Sequence, residues 1–328
     1  MTTPARISYG VLALTILLVG IFHLGAPFLV LLFAYFALRQ LYLAIKNKWI
    51  ALGLLVVLVL GIAAAAVYFT RAAILALPEI ADTSIPSASA WAQKQQIELP
   101  FTDFDSLRAA VIDELKQETS YLQSVGHFAG STLSILVLSI IAIVIAASLF
   151  LKPAFNPNSN VDGPTNNLYA VSTAEISARF RDFYRSFGTV MGAQLTISLI
   201  NTALTGIFLL AVGLRHAALL IALTFLCGFV PIVGNLVSNT IITFVALSVS
   251  LKLAIAALIF LIVIHKLEYF LNSKIIGQRI RNPVWLTLIA LVVGERLMGI
   301  PGLILAPVVL NYLRVEMLKI EVSPRRDI

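Results

Sequence analysis

The sequence contains very little charge and a single cysteine. Asp, Glu, Lys and Arg make up 12% of 328 residues, whereas 59% are hydrophobic and the mean hydropathy is +0.96. One soluble core cannot hide that much apolar surface, which excludes an ordinary soluble domain. Cys227 has no second cysteine with which to form an intrachain disulfide. These shortages indicate a polytopic membrane protein.

Motifs for common enzyme chemistry are also missing. The sequence has no Walker loop, no Rossmann glycine pattern and no G-x-S-x-G. His265 and Glu268 stand in the order H-K-L-E, which is not the HExxH motif of zinc proteases. We therefore expect no enzyme, no cofactor and no metal site. The net charge of +7 indicates bases placed beside membrane spans, so we expect no nucleic-acid partner.

Long uncharged runs predict membrane-spanning helices, because crossing a hydrocarbon core takes about 20 residues. Barrel strands would be about half that length and would alternate in polarity. The predicted fold is an all-α polytopic membrane protein with about six full spans, two Gly/Pro-broken re-entrant hairpins in inverted orientation, and amphipathic extramembrane helices. The continuous spans are two short ones joined at residues 23–27, then 49–70, 128–151, 186–213 and 252–271.

The distribution of charge predicts topology and three regions. Arg39, Lys46 and Lys48 precede the third span, and the positive-inside bias places them in the cytoplasm. Both termini are then cytoplasmic, in a cell (inner) membrane. Eight acids and three bases give residues 78–129 a net charge of −5, which predicts an external segment with an amphipathic helix after a Pro/Ser-rich connector. The regions are an N-terminal three-span segment (1–77), this acidic segment (78–129), and the fourth span, cytoplasmic helix and transport core (130–328).

A capping box, Ser172 to Glu175, predicts the start of a cytoplasmic helix. An apolar stripe at helical spacing follows, formed by Ile176, Phe180, Phe183 and Phe187. We expect this helix to continue into the fifth span, with its arginines (Arg179, Arg181 and Arg185) on a solvated face. Contact with anionic lipid is the alternative for the arginines.

Gly and Pro interrupt two apolar runs. The run 217–251 is broken at residues 228–235, and the run 283–313 at residues 294–302. Broken helices expose backbone dipoles in a membrane only where they line a cavity. The breaks therefore predict two re-entrant hairpins with a solute held between their tips near the bilayer middle. For the first run, two tilted or unequal spans are the alternative.

The predicted substrate path combines residues of the two breaks with polar residues nearby: Gly228, Pro231, Gly234, Asn235, Asn239, Glu268, Glu295, Arg296, Pro301 and Gly302. Pro231, Gly234, Pro301 and Gly302 mark the backbone that we expect to be unwound. Asn235 and Asn239, like Ser238 and Thr240, either line the path or hydrogen-bond a neighbouring helix.

The charged members of the path have two interpretations each. Glu295 and Arg296 are either a gating pair or solute contact near the bilayer middle, or charges lying at an interface. Glu268, with His265, is either part of a proton relay or a side chain that snorkels from the helix end. We favour snorkelling.

Three stretches together resemble the C-terminal signature of the autoinducer-2 exporter family: FVPIVG at 229–234, LEYFLNSKIIG at 267–277 followed by Pro283, and GIPGLILAP at 299–307. The resemblance is strongest over residues 175–318. It implies a multi-pass permease that exports a small polar solute, with autoinducer-2 as the name-giving substrate. Some members are described as sodium/proton antiporters. The resemblance also implies a homo-oligomer, a pentamer in which each protomer carries its own path and moves in an elevator-like way.

We expect the chain to export a small polar solute, such as an autoinducer-2-like signal or a related metabolite, by alternating access across the lipid bilayer. A sodium/proton antiporter on the same scaffold is the first alternative, with Glu268 or Glu295 carrying the proton. A non-transporting membrane scaffold that holds a partner through residues 78–129 is the second.

Overall fold

The computed structural model describes residues 2–94, 121–151, 167–230, 233–271 and 283–320. Within these ranges the chain is helical and has no strand, which confirms the predicted fold class. The ten helices in these ranges are α1 (Thr3–Ile21), α2 (Gly25–Ile45), α3 (Lys48–Lys94), α4 (Tyr121–Leu151), α5 (Leu168–Ala211), α6 (Ala217–Cys227), α7 (Val233–Val249), α8 (Leu251–Leu271), α9 (Val284–Met298) and α10 (Ile300–Leu318).

Six helical segments in the described chain are long and apolar enough to cross a membrane: α1, α2, Lys48–Ala76 of α3, Leu133–Leu151 of α4, α5 and α10. Many of their large apolar side chains are exposed, Val67 and Leu133 among them, as contact with lipid requires. The protein is therefore a multi-pass membrane protein. The re-entrant and inverted arrangement of the hairpins stays a prediction. Of their described arms, α6, α7 and α9 are shorter than a membrane span, whereas α10 is long enough to cross.

The turn predicted at residues 23–27 is confirmed, since α1 ends at Ile21 and α2 begins at Gly25. The predicted connector at residues 86–90 is wrong. α3 continues through Pro78 and Pro86 as one helix of 47 residues. Proline removes one backbone donor and bends a helix without always ending it. The amphipathic helix expected in residues 78–129 falls mainly on residues 95–120, outside the described ranges.

The long fifth helix forms as predicted, but its start differs. α5 runs unbroken over 44 residues from Leu168, so Ser172 lies inside the helix and the capping box is wrong. The cap is Asn167, whose side-chain oxygen accepts a hydrogen bond from the backbone N–H of Ala170 at 2.8 Å. Asn caps helix starts as well as Ser does, because its oxygen satisfies a free first-turn donor.

The chain packs as two compact units. The first contains Met1–Val56, Ile135–Ala193 and Ile276–Ile328. Its core joins α1, α2, the first half of α5 and α10, through residues such as Leu12, Leu32 and Val308. Phe183 and Phe187 of the predicted apolar stripe are buried in this core. Phe187 packs edge-on against the ring of Phe33 on α2, with 5.1 Å between ring centroids.

The second unit contains Val57–Ser134 and Gln194–Ile275. Its apolar core is built from the second half of α5 with α6, α7 and α8: Leu209, Leu214, Leu220, Ile242, Val245, Ala246, Ala254, Ala257 and Leu261. The rings of Phe208 and Phe260 stack beside it with centroids 4.2 Å apart. The same helices carry polar residues at the other end of their buried faces.

Candidate functional site

A buried polar stripe runs along the second half of α5. Gln194, Ser198, Asn201 and Thr205 recur at intervals of four, three and four residues, which places them on one helix face. All four side chains are buried inside the second unit. Buried polar groups in an apolar helix need partners. Gln194 and Ser198 have their hydrogen-bond partners at the end of α6, beside the first break.

Gln194 and Ser198 bind backbone carbonyls at this break. The side-chain amide of Gln194 donates to the carbonyl oxygen of Gly228 at 2.6 Å. The hydroxyl of Ser198 donates to the carbonyl oxygen of Phe225 at 2.9 Å. The last carbonyls of a helix have no partner within that helix. α5 thus supplies donors to a backbone that a membrane interior would otherwise leave unsatisfied.

The first break is shorter than predicted. α6 ends at Cys227, as expected, but α7 begins at Val233, so Gly234 and Asn235 are helical and the prediction of unwound backbone at Gly234 is wrong. A Cβ on Gly234 would overlap the backbone carbonyl of Cys227. This glycine therefore serves the close approach of the two arms, and not an unusual backbone angle. Pro231 lies outside the described residues.

Glu268 occupies an apolar position of α8. The buried face of this helix is formed by Ala254, Ala257, Leu261 and Ile264, and Glu268 continues it at the next helical interval. Only 6% of the residue is exposed. Snorkelling was the favoured interpretation for Glu268, and it is wrong. His265 and Lys266 are the residues of this segment that are exposed.

Two amide side chains lie against the carboxylate of Glu268. The side-chain N–H of Asn235, on α7, donates to its Oε2, and the side chain of Asn201, on α5, lies beside the same carboxylate. His265 Nδ1 lies 3.9 Å from the same oxygen. The bond from Asn235 joins α7 to α8, and a place for Asn235 on the solute path stays a prediction. Three helices of the second unit thus meet at one carboxylate.

The other polar residues after the first break bond within their own helix. Ser238 and Thr240 donate to the carbonyls of Asn235 and Leu236. Asn239 is partly exposed. A lining role for these side chains stays a prediction.

The second break, in the first unit, consists of one residue. Gly299 has φ 65° and ψ −143°, and helices α9 and α10 meet on either side of it. L side chains rarely adopt this conformation. Pro301 and Gly302 lie in the first turn of α10, so the prediction of unwound backbone there is wrong. Proline suits a first turn because its missing N–H has no partner there in any case.

The hairpin arms pack with their backbones in contact. A Cβ on Gly302 would overlap the backbone of Gly294, and a Cβ on Gly294 would meet the backbone of Gly302. Glu295 and Arg296 lie in the last turn of α9, with 3.9 Å between Arg296 Nε and Glu295 Oε2. Both side chains are exposed. Their gating role stays a prediction.

Sequence reasoning missed two groups of residues. The stripe of Gln194, Ser198, Asn201 and Thr205 has a readable helical spacing, but uncharged polar residues do not interrupt the apolar run of a span. The second group surrounds Glu316 in the first unit, where Tyr9, Arg179 and Lys319 bind one carboxylate. These partners are far apart in the sequence, so no local pattern pointed to them.

Lys319, just beyond the end of α10, also donates to Asp182 at 2.7 Å. Burial alone would lower the pKa of Lys319, but its hydrogen bonds to Asp182 and Glu316 outweigh that effect and raise the pKa. The amine therefore stays protonated at neutral pH. In the described part of the chain, no group of three or more His, Cys, Asp or Glu residues is placed to hold a metal ion.

Span-length helices with exposed apolar surfaces, and a buried polar cluster beside a broken hairpin, define a multi-pass membrane protein with a polar interior. Residues 7–319 match the family described as "AI-2E family transporter". The chain belongs to this family. The resemblance seen in the sequence is thereby confirmed.

Individual relatives have transport-related names. The chain is 32% identical over 125 residues to "Putative transport protein YdbI" of Bacillus subtilis (strain 168), covering 38% of this chain and 36% of that protein. "Putative transport protein YrrI" of the same organism is 27% identical over 143 residues, covering 43% and 40%. A Thermotoga maritima protein named "Putative transport protein" is 26% identical over 132 residues, 39% of each chain. The chain thus matches well under half the length of these relatives.

Proposed function

We propose that the protein exports a small polar solute, an autoinducer-2-like signal or a related metabolite, from the cell by alternating access. The observation that carries the proposal is the polar cluster of the second unit, where the stripe of α5 meets the break between α6 and α7. A transporter needs polar groups away from lipid to replace the water that its solute gives up. Amides, hydroxyls and a carboxylate supply both donors and acceptors.

The proposed path includes Gly228, Asn235, Asn239 and Glu268 in the second unit. Asn235 and Glu268 present an amide and a carboxylate, which suit a hydroxyl-bearing solute because hydroxyls both donate and accept hydrogen bonds. In the first unit we propose Glu295, Arg296, Pro301 and Gly302 as path residues, with the charged pair as a gate. Pro231 belongs to the proposed path by its place in the sequence.

The proposed setting is the cell (inner) membrane, with both termini in the cytoplasm. This topology rests on the positive-inside bias of Arg39, Lys46 and Lys48. A homo-oligomer, a pentamer, is proposed from family membership. We propose that the chain works without a cofactor and is not an enzyme.

Flux through purified protein in sealed proteoliposomes tests the proposal. We expect the wild type to move autoinducer-2 and Asn235→Leu to lower the rate about tenfold, because losing one hydrogen bond of about 1.4 kcal/mol has that effect. Thr240→Val is the matched control, since Thr240 is exposed on the same helix and its hydroxyl donates to the carbonyl of Leu236 in that helix. If wild-type vesicles leak no faster than empty ones for this signal and a panel of polar metabolites, the proposal is wrong.

Sodium/proton antiport is the second candidate, favoured by the burial of Glu268 in an apolar helix face. It predicts proton flux that depends on a sodium gradient and that Glu268→Gln abolishes. Export of the signal without such proton flux would support the first candidate. A stable complex with a partner protein, combined with no solute flux, would instead support the scaffold function.

A further inference from the structure

We infer that Gln194 and Ser198 are positioning residues for transport, which hold the end of α6 and so fix the shape of the first break. The inference rests on the proposed function, because Gly228 at the break and Asn235 beside it belong to the proposed solute path. It depends on which carbonyls at the end of α6 lack backbone donors, on the closeness of α5, and on the bonds that lead from the break to Asn235.

The end of α6 is expected to lie within the hydrocarbon layer. The helix has 11 residues and is about 16 Å long at 1.5 Å per residue, whereas the layer is about 30 Å thick. It begins two residues after Arg215, a charged residue that favours the membrane surface. Without water, each carbonyl at the far end of the helix needs a donor from the protein.

Backbone groups satisfy only part of this end. The turn after α6 supplies N–H donors to three carbonyls: those of Thr224, Leu226 and Cys227. No described backbone N–H donates to the carbonyls of Phe225 and Gly228. These are the two oxygens that the side chains of Ser198 and Gln194 bind, at 2.9 and 2.6 Å respectively. The two hydrogen bonds from α5 therefore complete the set of donors, and they form an anchor for the break.

The contact between α5 and the break leaves no room for a side chain on Gly228. This glycine has φ −59° and ψ −16°, which any L residue adopts, so its backbone angles do not require glycine. A Cβ there would overlap the side chain of Ser198. Both anchoring side chains are buried, so water is not available to replace their bonds. Glycine at this position thus serves the close approach of the anchor.

Backbone hydrogen bonds connect the anchored end to the start of α7. The N–H of Val230 donates to the carbonyl of Cys227 at 2.9 Å, and the N–H of Gly234 donates to the carbonyl of Val230 at 3.0 Å. Asn235 follows Gly234 and donates to Glu268. An α6 end that is held in place therefore fixes where the amide of Asn235 lies. The anchor acts on the proposed path through the hairpin and not by touching the solute.

The reactivity of the single cysteine tests the anchor without any flux measurement. Cys227 is the last residue of α6 and is partly buried, so N-ethylmaleimide should label it slowly in wild-type protein reconstituted into lipid vesicles. Gln194→Leu removes one donor at nearly the same volume. We expect about tenfold faster labelling, measured by mass spectrometry, because one lost hydrogen bond of about 1.4 kcal/mol corresponds to that factor. Ser198→Ala should change the rate in the same direction.

Leu261→Ala is the control for a general loss of stability. Leu261 is buried in the apolar core of the same unit, and its truncation removes no bond at the break. It should lower the thermal midpoint, as core truncations do, and leave the labelling rate of Cys227 unchanged. Thermal midpoints show which variants fold. If Gln194→Leu does not fold, the smaller change Ser198→Ala provides the same test.

Solute kinetics in proteoliposomes test the role in transport. The probe is autoinducer-2, or the metabolite of the panel that the wild type moves. A displaced Asn235 should bind the solute more weakly, so Gln194→Leu should raise the KM about tenfold. Leu261→Ala should leave the KM unchanged, because it does not alter the break.

Three results would overturn the inference: unchanged labelling of Cys227 in folded Gln194→Leu and Ser198→Ala proteins, an equal acceleration in Leu261→Ala, or an unchanged KM in a Gln194→Leu protein that is labelled faster. The outcomes also separate this inference from the proposed function. Export by the wild type, with unchanged labelling and KM in the variants, would remove the anchor and leave the exporter. Faster labelling in variants of a protein that moves no solute would leave a structural anchor and remove its role in transport.

Discussion

Arg179 on α5 donates a hydrogen bond to the carboxylate of Glu316 on α10, although 137 residues separate the two in the chain. Their side chains are only 15% and 4% exposed. The hydroxyl of Tyr9 on α1 donates to the same carboxylate at 2.9 Å, and Lys319 donates to its other oxygen at 2.9 Å. Three helices of the first unit are therefore tied together through one buried acid.

Removing the arginine should weaken the first unit strongly. Arg179→Gln leaves Glu316 buried with one cation fewer, and breaking one side of a buried ion pair costs about 3–5 kcal/mol. Unfolding in detergent, followed by helical circular dichroism, measures the loss. Glu175→Gln is the control, because Glu175 is the more exposed partner of Arg179, and exposed pairs contribute about 0–1 kcal/mol. Equal losses in the two variants would contradict the buried network.

The hairpin of α9 and α10 should not tolerate a methyl group at its contact. Gly302→Ala and Gly294→Ala each place a Cβ against the opposing backbone, and overpacking of this kind costs about 1–3 kcal/mol. Gly10→Ala in α1 meets no atom within 4 Å and should instead stabilise the protein slightly, since alanine is the better helix former. Thermal midpoints of the three variants test this contrast. A stabilising Gly302→Ala would show that the arms are further apart than described.

The start of α5 offers a pair of opposite mutations. Asn167→Ala removes the side-chain oxygen that caps the helix and should cost about 0.5–2 kcal/mol. Ser172→Ala removes a buried hydroxyl that has no hydrogen-bond partner among the described residues, so it should be neutral or stabilising. Denaturant unfolding measures the free energy of unfolding of both variants. A larger loss in Ser172→Ala than in Asn167→Ala would support the capping box at Ser172.

Neutralising Glu295 or Arg296 should lower transport without lowering stability. Their side chains are exposed, and exposed pairs contribute little to the free energy of unfolding. If the pair gates the path, Glu295→Gln and Arg296→Gln each reduce solute flux in proteoliposomes while the thermal midpoint stays within about 1 °C of the wild type. Unchanged flux in both variants would assign the pair to a surface without a role in transport.

Much of the helical layout could be read from the sequence. The turn at residues 23–27 and the end of α6 at Cys227 were predicted because Gly and Pro interrupt uncharged runs there. The same signal failed at Pro86, where the helix continues. It also failed at Gly234 and Pro301, which lie just inside helix starts. A proline or glycine marks a change of backbone geometry only to within a few residues, since both are also accepted in a first turn.

The site was only partly predictable. The sequence predicts both Asn235 and Glu268 as path residues. It does not predict the hydrogen bond between them, because that bond depends on how α7 packs against α8. Burial of Glu268 was missed for the same reason. From the sequence alone, a residue near the end of a helix is expected to be exposed to solvent, because the helices that cover it are not known. Gln194 and Asn201 were missed although their spacing was visible, because uncharged polar residues do not disturb the hydropathy of a span.

α3 has 47 residues and so extends for about 70 Å at 1.5 Å per residue. A hydrocarbon layer of about 30 Å accommodates less than half of that. We therefore expect the part of this helix beyond Ala76, which contains Pro86, to protrude from the hydrocarbon layer on one side. A protease cleavage sequence placed there, cut by enzyme added outside whole cells or only after lysis, would reveal directly which side of the membrane the protrusion occupies.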